Sequence, residues 1–270
     1  MKCARGERRR MRRLPFFLVC GATALALATP AGAQQRSITV FAAASLREAF
    51  EAAAPAFTQR TGAAVKFAFA GSDSLVTQLK QGAPADVFAS ANEAQMKIAA
   101  DAGLLAEPAR TFARNRLVLI VPHDDPAKIA GVGDLARPGV KVVLAAPTVP
   151  VGGYARTAFR ELNGKSGFPP DFASDVERNV VSNELDVKAV ATKVSLGEGD
   201  AGVVYSTDVT PALAPKLRTF AFPPGASPDA TYPIAALKGA ADPAGARAFV
   251  DFVLSPAGQA FLRARGFIAP

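Results

Sequence analysis

Two serines stand where a strand-like run empties into a helix-like one. Ser45 follows Ile38-Thr39-Val40-Phe41 and three alanines, and it precedes apolar residues at helical spacing, Leu46, Phe50, Ala53, Ala54 and Phe57. Ser72 follows Ala64 to Ala70 (AVKFAFA) and Gly71, and it precedes Leu75, Val76 and Leu79. The start of a helix carries unpaired backbone N–H groups and a partial positive charge, so a hydroxyl beside it completes a seat for an anion. A serine there also serves as a plain helix cap, and Ser45 is expected to cap its helix. One such serine decides nothing. Two of them, at the carboxyl ends of two strands where open α/β sheets bind ligands, form a stronger signal.

Further donors lie in the second half. Pro147 to Tyr154 reads as a loop in which Gly152-Gly153 exposes the amides around Val151 without side-chain obstruction. Asn183 or Asp186 can cap a helix that carries Val187, Val190, Ala191 and Val194, which leaves the amide near Val187 free. Tyr205 ends the apolar run Ala201 to Tyr205, either facing a cleft or lying as an aromatic lid on a core. Ser45, Ser72, the amides near Val151 and Val187, and Tyr205 are all neutral donors, with no lysine or arginine among them. Such a set suits a deprotonated oxyanion and offers no acceptor to a protonated one. Asp86 and Asp73 would repel an anion; Asp86 is read as a carboxylate that caps backbone groups, and Asp73 fits only if it points away.

Other chemistry is hard to staff. His123 is the only histidine, so it cannot build a usual zinc or iron site with cysteine or a second histidine. A serine hydrolase built on Ser45 or Ser72 needs a nearby base, and Gly71-Ser72-Asp73-Ser74-Leu75 lacks the second glycine of a nucleophile elbow. A ferric-iron site wants clustered tyrosines, whereas Tyr154, Tyr205 and Tyr232 are scattered. No enzyme activity and no cofactor are expected.

The formal net charge is +8 over 270 residues. Residues 1–33 supply most of it: seven Lys/Arg and one Glu, then an apolar run from Leu14 to Ala28 and Ala31-Gly32-Ala33. That is the layout of a cleaved secretory signal peptide, too short for a membrane anchor. The other 237 residues carry a net charge near +2, which removes the case for nucleic acid. Cys3 and Cys20 both fall in the signal, and Val19 is larger than a lipobox usually holds before Cys20, so a cleaved, periplasmic chain without disulfides is expected.

Strand-like and helix-like runs alternate along the mature chain, the mark of an α/β fold. Arg116 to Pro122 reads as a crossing strand and Tyr232 to Leu237 as the return. Two α/β lobes joined by a two-stranded hinge are expected, one from residues 34–115 and 231–270 and the other from 116–230, with a cleft between them.

Five motifs in this order resemble the periplasmic molybdate-binding proteins of ABC transporters: Thr39-Val40-Phe41-Ala42-Ala43-Ala44-Ser45-Leu46, Phe69-Ala70-Gly71-Ser72-Asp73-Ser74-Leu75, Gly82-Ala83-Pro84-Ala85-Asp86-Val87-Phe88, Val149-Pro150-Val151-Gly152-Gly153-Tyr154 and Gly202-Val203-Val204-Tyr205-Ser206-Thr207-Asp208. The resemblance covers essentially the whole mature chain. It implies the type II periplasmic binding protein fold, closure on molybdate or tungstate, and delivery to a membrane permease and its ATPase by a monomer. It further implies that the oxyanion is held by Ser45, Ser72, the amides of Val151 and Val187, and Tyr205. Many relatives have serine where this chain has Gly71. Sulfate and phosphate remain the rival anions.

Overall fold

The computed structural model describes residues 36–270, so the expected signal peptide lies outside the described residues. Among the described residues, ten strands form two five-stranded sheets. The first sheet takes β1 (Ser37–Ala43), β2 (Ala64–Ala70), β3 (Val87–Ala89), β4 (Arg110–Asn115) and β10 (Ala230–Ala236), in the order β2-β1-β3-β10-β4. The second takes β5 (Leu117–Pro122), β6 (Val142–Ala145), β7 (Val180–Glu184), β8 (Ala201–Tyr205) and β9 (Leu217–Ala221), in the order β7-β6-β8-β5-β9. Each sheet has three parallel strands on one side and, on the other, an antiparallel pair whose inner strand, β10 or β5, runs against them. The α/β class and the two-sheet architecture agree with the sequence reading.

The chain passes from the first sheet to the second at Arg116, between β4 and β5, and returns between β9 and β10. The strand β4 is not visible in the sequence pattern, because only Phe112 and Ala113 of Arg110-Thr111-Phe112-Ala113-Arg114-Asn115 are apolar.

Among the described residues, eight α-helices accompany these sheets: α1 (Arg47–Thr61), α2 (Ser72–Lys80), α3 (Glu93–Asp101), α4 (Pro150–Leu162), α5 (Phe172–Arg178), α6 (Val187–Ser195), α7 (Pro243–Leu254) and α8 (Pro256–Ala264). In the first half, Phe50 and Phe57 of α1 bury against Phe249 of α7, with ring centroids 5.6 and 5.3 Å apart and edges turned to faces. In the second, Phe159 of α4 meets Phe172 of α5 edge to face at 5.9 Å. Burying these rings is worth about 2–3 kcal/mol each, so each sheet has its own aromatic clamp. Asp86 behaves as expected: its carboxylate accepts the N–H of Thr39 at 2.6 Å and of Asp242 at 3.1 Å, tying β1 to the start of α7.

Two local readings are corrected. Ser45 does not cap α1. The residues Ala44–Leu46 form a single 3-10 turn, Leu46 occupies the cap position, and the Ser45 hydroxyl turns instead to Tyr232. The stretch Pro147 to Tyr154 is not all loop, because α4 already starts at Pro150. Proline at a first helical position loses no needed hydrogen bond and has the helical φ preset. Gly152 then lies so close to Ala145 and Ala146 that a Cβ would collide with their carbonyl oxygens, which is why glycine is found inside a first turn.

Candidate functional site

Ser45, Ser72, Val151, Val187 and Tyr205 line one small cavity between the two sheets, together with Ala43, Ala44, Gly71, Ala91 and Pro150. All five are buried, none more than 4 % exposed. The cavity is small, about 10 Å³.

Each lining group arrives from the start of a helical turn or the end of a strand. β1 ends at Ala43 and delivers Ser45 on the 3-10 turn; β2 ends at Ala70 and delivers Ser72 as the first residue of α2. Val151 is the second residue of α4, and Val187 is the first of α6. Backbone N–H groups at such positions have no partner within the helix. Asp186, at the cavity wall, spends its carboxylate on the cap of α6, accepting from the Ala189 N–H at 3.0 Å. β8 ends at Tyr205. Four helical starts thus direct partial positive charge at the same point.

The side-chain hydroxyls have distinct states. Ser72 Oγ accepts the Ala91 N–H at 3.1 Å, which leaves its own hydrogen to donate. Ser45 Oγ lies 3.0 Å from the Tyr232 hydroxyl. The Tyr205 hydroxyl is buried and has no hydrogen-bond partner among the described residues, a costly condition that a bound acceptor relieves. Burial, and then the nearby Tyr232, Tyr154 and Asp208, push the Tyr205 phenol well above its usual range, so it stays a protonated donor.

Among the described residues, no lysine or arginine lines the cavity. Lys188 on α6, which follows the lining residue Val187, has its ammonium occupied: it lies 2.9 and 2.8 Å from the two oxygens of Glu48 on α1 and 3.2 Å from Asp208 Oδ1. Asp208 in turn accepts the Tyr205 N–H at 3.3 Å. Burial pulls the Lys188 pKa down, but Asp208 and Glu48 outweigh it and hold the ammonium above its ordinary value.

Asp73 does not enter the cavity wall. Its Oδ2 accepts the Thr148 hydroxyl at 2.8 Å, while the backbone oxygen of Thr148 accepts from Gln95 Nε2 at 2.9 Å. These contacts join α2 and α3 to the loop before α4. A Cβ on Gly71 would lie 2.5 Å from the Leu185 oxygen and 2.6 Å from Asp73 Oδ1, which explains glycine here by close approach of the two halves.

Neither serine hydroxyl bonds to His123, which is exposed in its turn and whose N–H goes to the Lys216 oxygen. Among the described residues, no cluster of His, Cys, Asp and Glu could hold a metal ion. Tyr232, Asn115, Lys188 and Asp208 carry polar roles around the cavity that sequence reading missed. No spacing ties residue 45 to residue 232; the one available hint is a phenol in a buried apolar strand, which needs a partner.

The profile of the bacterial extracellular solute-binding protein family matches residues 38–268. The molybdate-binding protein ModA of Mycobacterium bovis is 43 % identical over 257 residues, covering 94 % of this chain and 93 % of that protein. ModA of Escherichia coli K12 is 30 % identical over 253 residues, covering 91 % and 94 %. The periplasmic molybdate-binding protein of Azotobacter vinelandii shares the fold, with a TM-score of 0.73 at 22 % identity over 86 % of this chain and 99 % of that one. By this family model and these relatives, the chain belongs to the bacterial extracellular solute-binding protein family.

Proposed function

We propose that the protein is the periplasmic capture component of an ABC importer and that its cargo is molybdate, with tungstate as a second oxyanion it takes. The observation that carries the reading is the convergence of five neutral donors, and no cation, on one buried cavity. A fixed cage of hydroxyls and amides matches an anion whose oxygens are all acceptors, and it gives nothing to an anion that must donate. The relatedness to ModA proteins of two other bacteria supports molybdate as that anion.

In this reading Ser45, Ser72, the Val151 and Val187 amides and Tyr205 hold the oxyanion. Residues 34–115 and 231–270 form one lobe, 116–230 the other, and the passages at Arg116 and between β9 and β10 act as the hinge. The anion closes the lobes, and the closed monomer presents it to the permease and ATPase. Residues 1–33 direct export and are removed.

Sulfate is the second reading, favoured by a sulfate-binding relative in Synechococcus elongatus, 27 % identical over 259 residues. A thermal-melt series on the processed protein with molybdate, tungstate, sulfate, phosphate and ferric citrate separates the two. A ligand at about a thousand times its Kd stabilises by about 4 kcal/mol, and each kcal/mol is worth roughly 2–4 °C at this size. A rise of about ten degrees with molybdate and tungstate alone is expected. A rise with sulfate alone transfers the site to sulfate, and no rise with any of the five overturns the oxyanion reading.

A further inference from the structure

Tyr232 belongs to β10 and is wholly buried, at the centre of a polar chain that ends on Ser45. The orientation of every hydrogen in that chain can be worked out from its far end. Asn115, the last residue of β4, accepts the Arg116 N–H on Oδ1 at 2.9 Å, and Ser206 Oγ is 3.1 Å from the same oxygen. A backbone N–H only donates, so Oδ1 and Nδ2 of Asn115 cannot be interchanged. Nδ2 therefore faces Thr207 Oγ1 at 2.8 Å and the Tyr232 oxygen at 3.4 Å, donating to both. The Tyr232 oxygen is then an acceptor towards Asn115, and its own hydrogen needs an acceptor in turn. Among the described residues, Ser45 Oγ at 3.0 Å provides it. With a donor facing it from Tyr232, Ser45 has its hydrogen left over, and the cavity is where that hydrogen is needed. Ser72 reaches the same state by accepting from Ala91.

We propose that Tyr232, itself oriented by Asn115, fixes the Ser45 hydroxyl as an obligate donor to the cavity and so makes the site reject oxyanions that carry a proton. Tyr232 is a positioning residue, since it acts through Ser45, and its role rests on the oxyanion reading of the cavity. Without the phenol, the Ser45 hydroxyl is free to rotate, to spend its hydrogen elsewhere, and to accept from an anion's O–H.

The test is Tyr232→Phe, which keeps the ring and its packing on Phe112, Tyr205 and Phe267. Calorimetric titration measures molybdate affinity, and competition against molybdate gives the sulfate-to-phosphate affinity ratio. These two anions are close in size and shape, but near neutral pH phosphate always carries a proton. The expected result is a loss of about tenfold in molybdate affinity, the effect of one misdirected hydrogen bond, with a fall in the sulfate-to-phosphate ratio. In a Ser45→Ala background, Tyr232→Phe is expected to cost no further affinity, because the group it positions is gone. Additive losses in that double variant, or an unchanged anion ratio in the single one, overturn the proposal. Asn115→Asp is the second variant: its carboxylate accepts from Tyr232, which turns the chain around, leaves Ser45 donating to Tyr232, and lowers the sulfate-to-phosphate ratio as well. An unchanged ratio there counts against the proposal equally. Wild-type protein that binds none of the three anions overturns the oxyanion reading itself, which is a different outcome from a tightly binding wild type with an indifferent Tyr232.

Discussion

Lys188 of α6 places its ammonium within 2.9 Å of both oxygens of Glu48 on α1, so a single ion pair joins the helix behind Ser45 to the helix that begins at Val187. The pair links the two halves without lining the cavity. Glu48→Gln is expected to weaken oxyanion binding about fivefold, near 1 kcal/mol for a partly exposed pair, with little change in the thermal midpoint of the ligand-free protein. Titration calorimetry against the wild type checks it, and an unchanged Kd would mean the pair does not favour the joined state.

Lys188→Met is expected to do more harm, because it leaves the Asp208 carboxylate buried without its cation. Removing one partner of a buried pair costs about 3–5 kcal/mol. The contrast with Glu48→Gln, measured by chemical denaturation of both variants, separates a stabilising role from a closing one.

The same buried carboxylate gives a pH signature. Burial raises Asp208 from 3.8 to about 6, against the opposing pull of Lys188 and with Glu48 adding to the rise. Between those values the folded chain holds a proton that the unfolded chain has released. The contribution of Asp208 to stability therefore falls as the pH rises from about 4 to about 6, and it levels off above that. Asp208→Asn removes this slope. Wild-type stability minus variant stability is expected to drop across that window by up to about 3 kcal/mol, the equivalent of two pKa units. A difference that is flat with pH would mean Asp208 is already ionised at pH 4 in the folded protein.

Gly71→Ala tests the close approach of the halves. The new Cβ must displace the Leu185 carbonyl or Asp73. Overpacking of this type costs about 1–3 kcal/mol, and the contact with Leu185 exists only where the halves meet. Oxyanion affinity is expected to fall about tenfold while the ligand-free melting temperature holds. A loss of melting temperature without a loss of affinity would place the strain within the first half instead.

In the proposed site, Ser45→Ala and Ser72→Ala are each expected to leave one oxygen of the anion without its donor. The expected cost is about 1–3 kcal/mol apiece, roughly five- to 150-fold in Kd. Wild-type affinity in both variants would remove these residues from the binding cage.

Much of this architecture is legible in the sequence because it rests on local chemistry. Ser45, Ser72, Val187 and Tyr205 each lie at a junction that apolar periodicity marks, and all of them face one cavity together with Val151. The start of α4 is misplaced because glycines at 152 and 153 read as a flexible turn, whereas the close approach to Ala145 and Ala146 requires glycine at 152. The cap role given to Ser45 fails for a different reason. Whether a serine caps its own helix or turns to a distant phenol depends on a contact across 187 residues of chain, and no local pattern records it. The chain Asn115–Tyr232–Ser45 and the ion pair Glu48–Lys188 exist only once the sheets have assembled.

The proposed oxyanion site draws its neutral donors from both sheets. A crystal structure of the processed protein grown with molybdate, with diffraction recorded at the molybdenum absorption edge, tests it most directly. One anomalous peak is expected within the cavity, with the anion's oxygens in hydrogen-bond reach of the Ser45, Ser72 and Tyr205 hydroxyls and the Val151 and Val187 amides. A peak held instead by lysine or arginine side chains elsewhere on the protein, or no peak from crystals grown with molybdate, would contradict it.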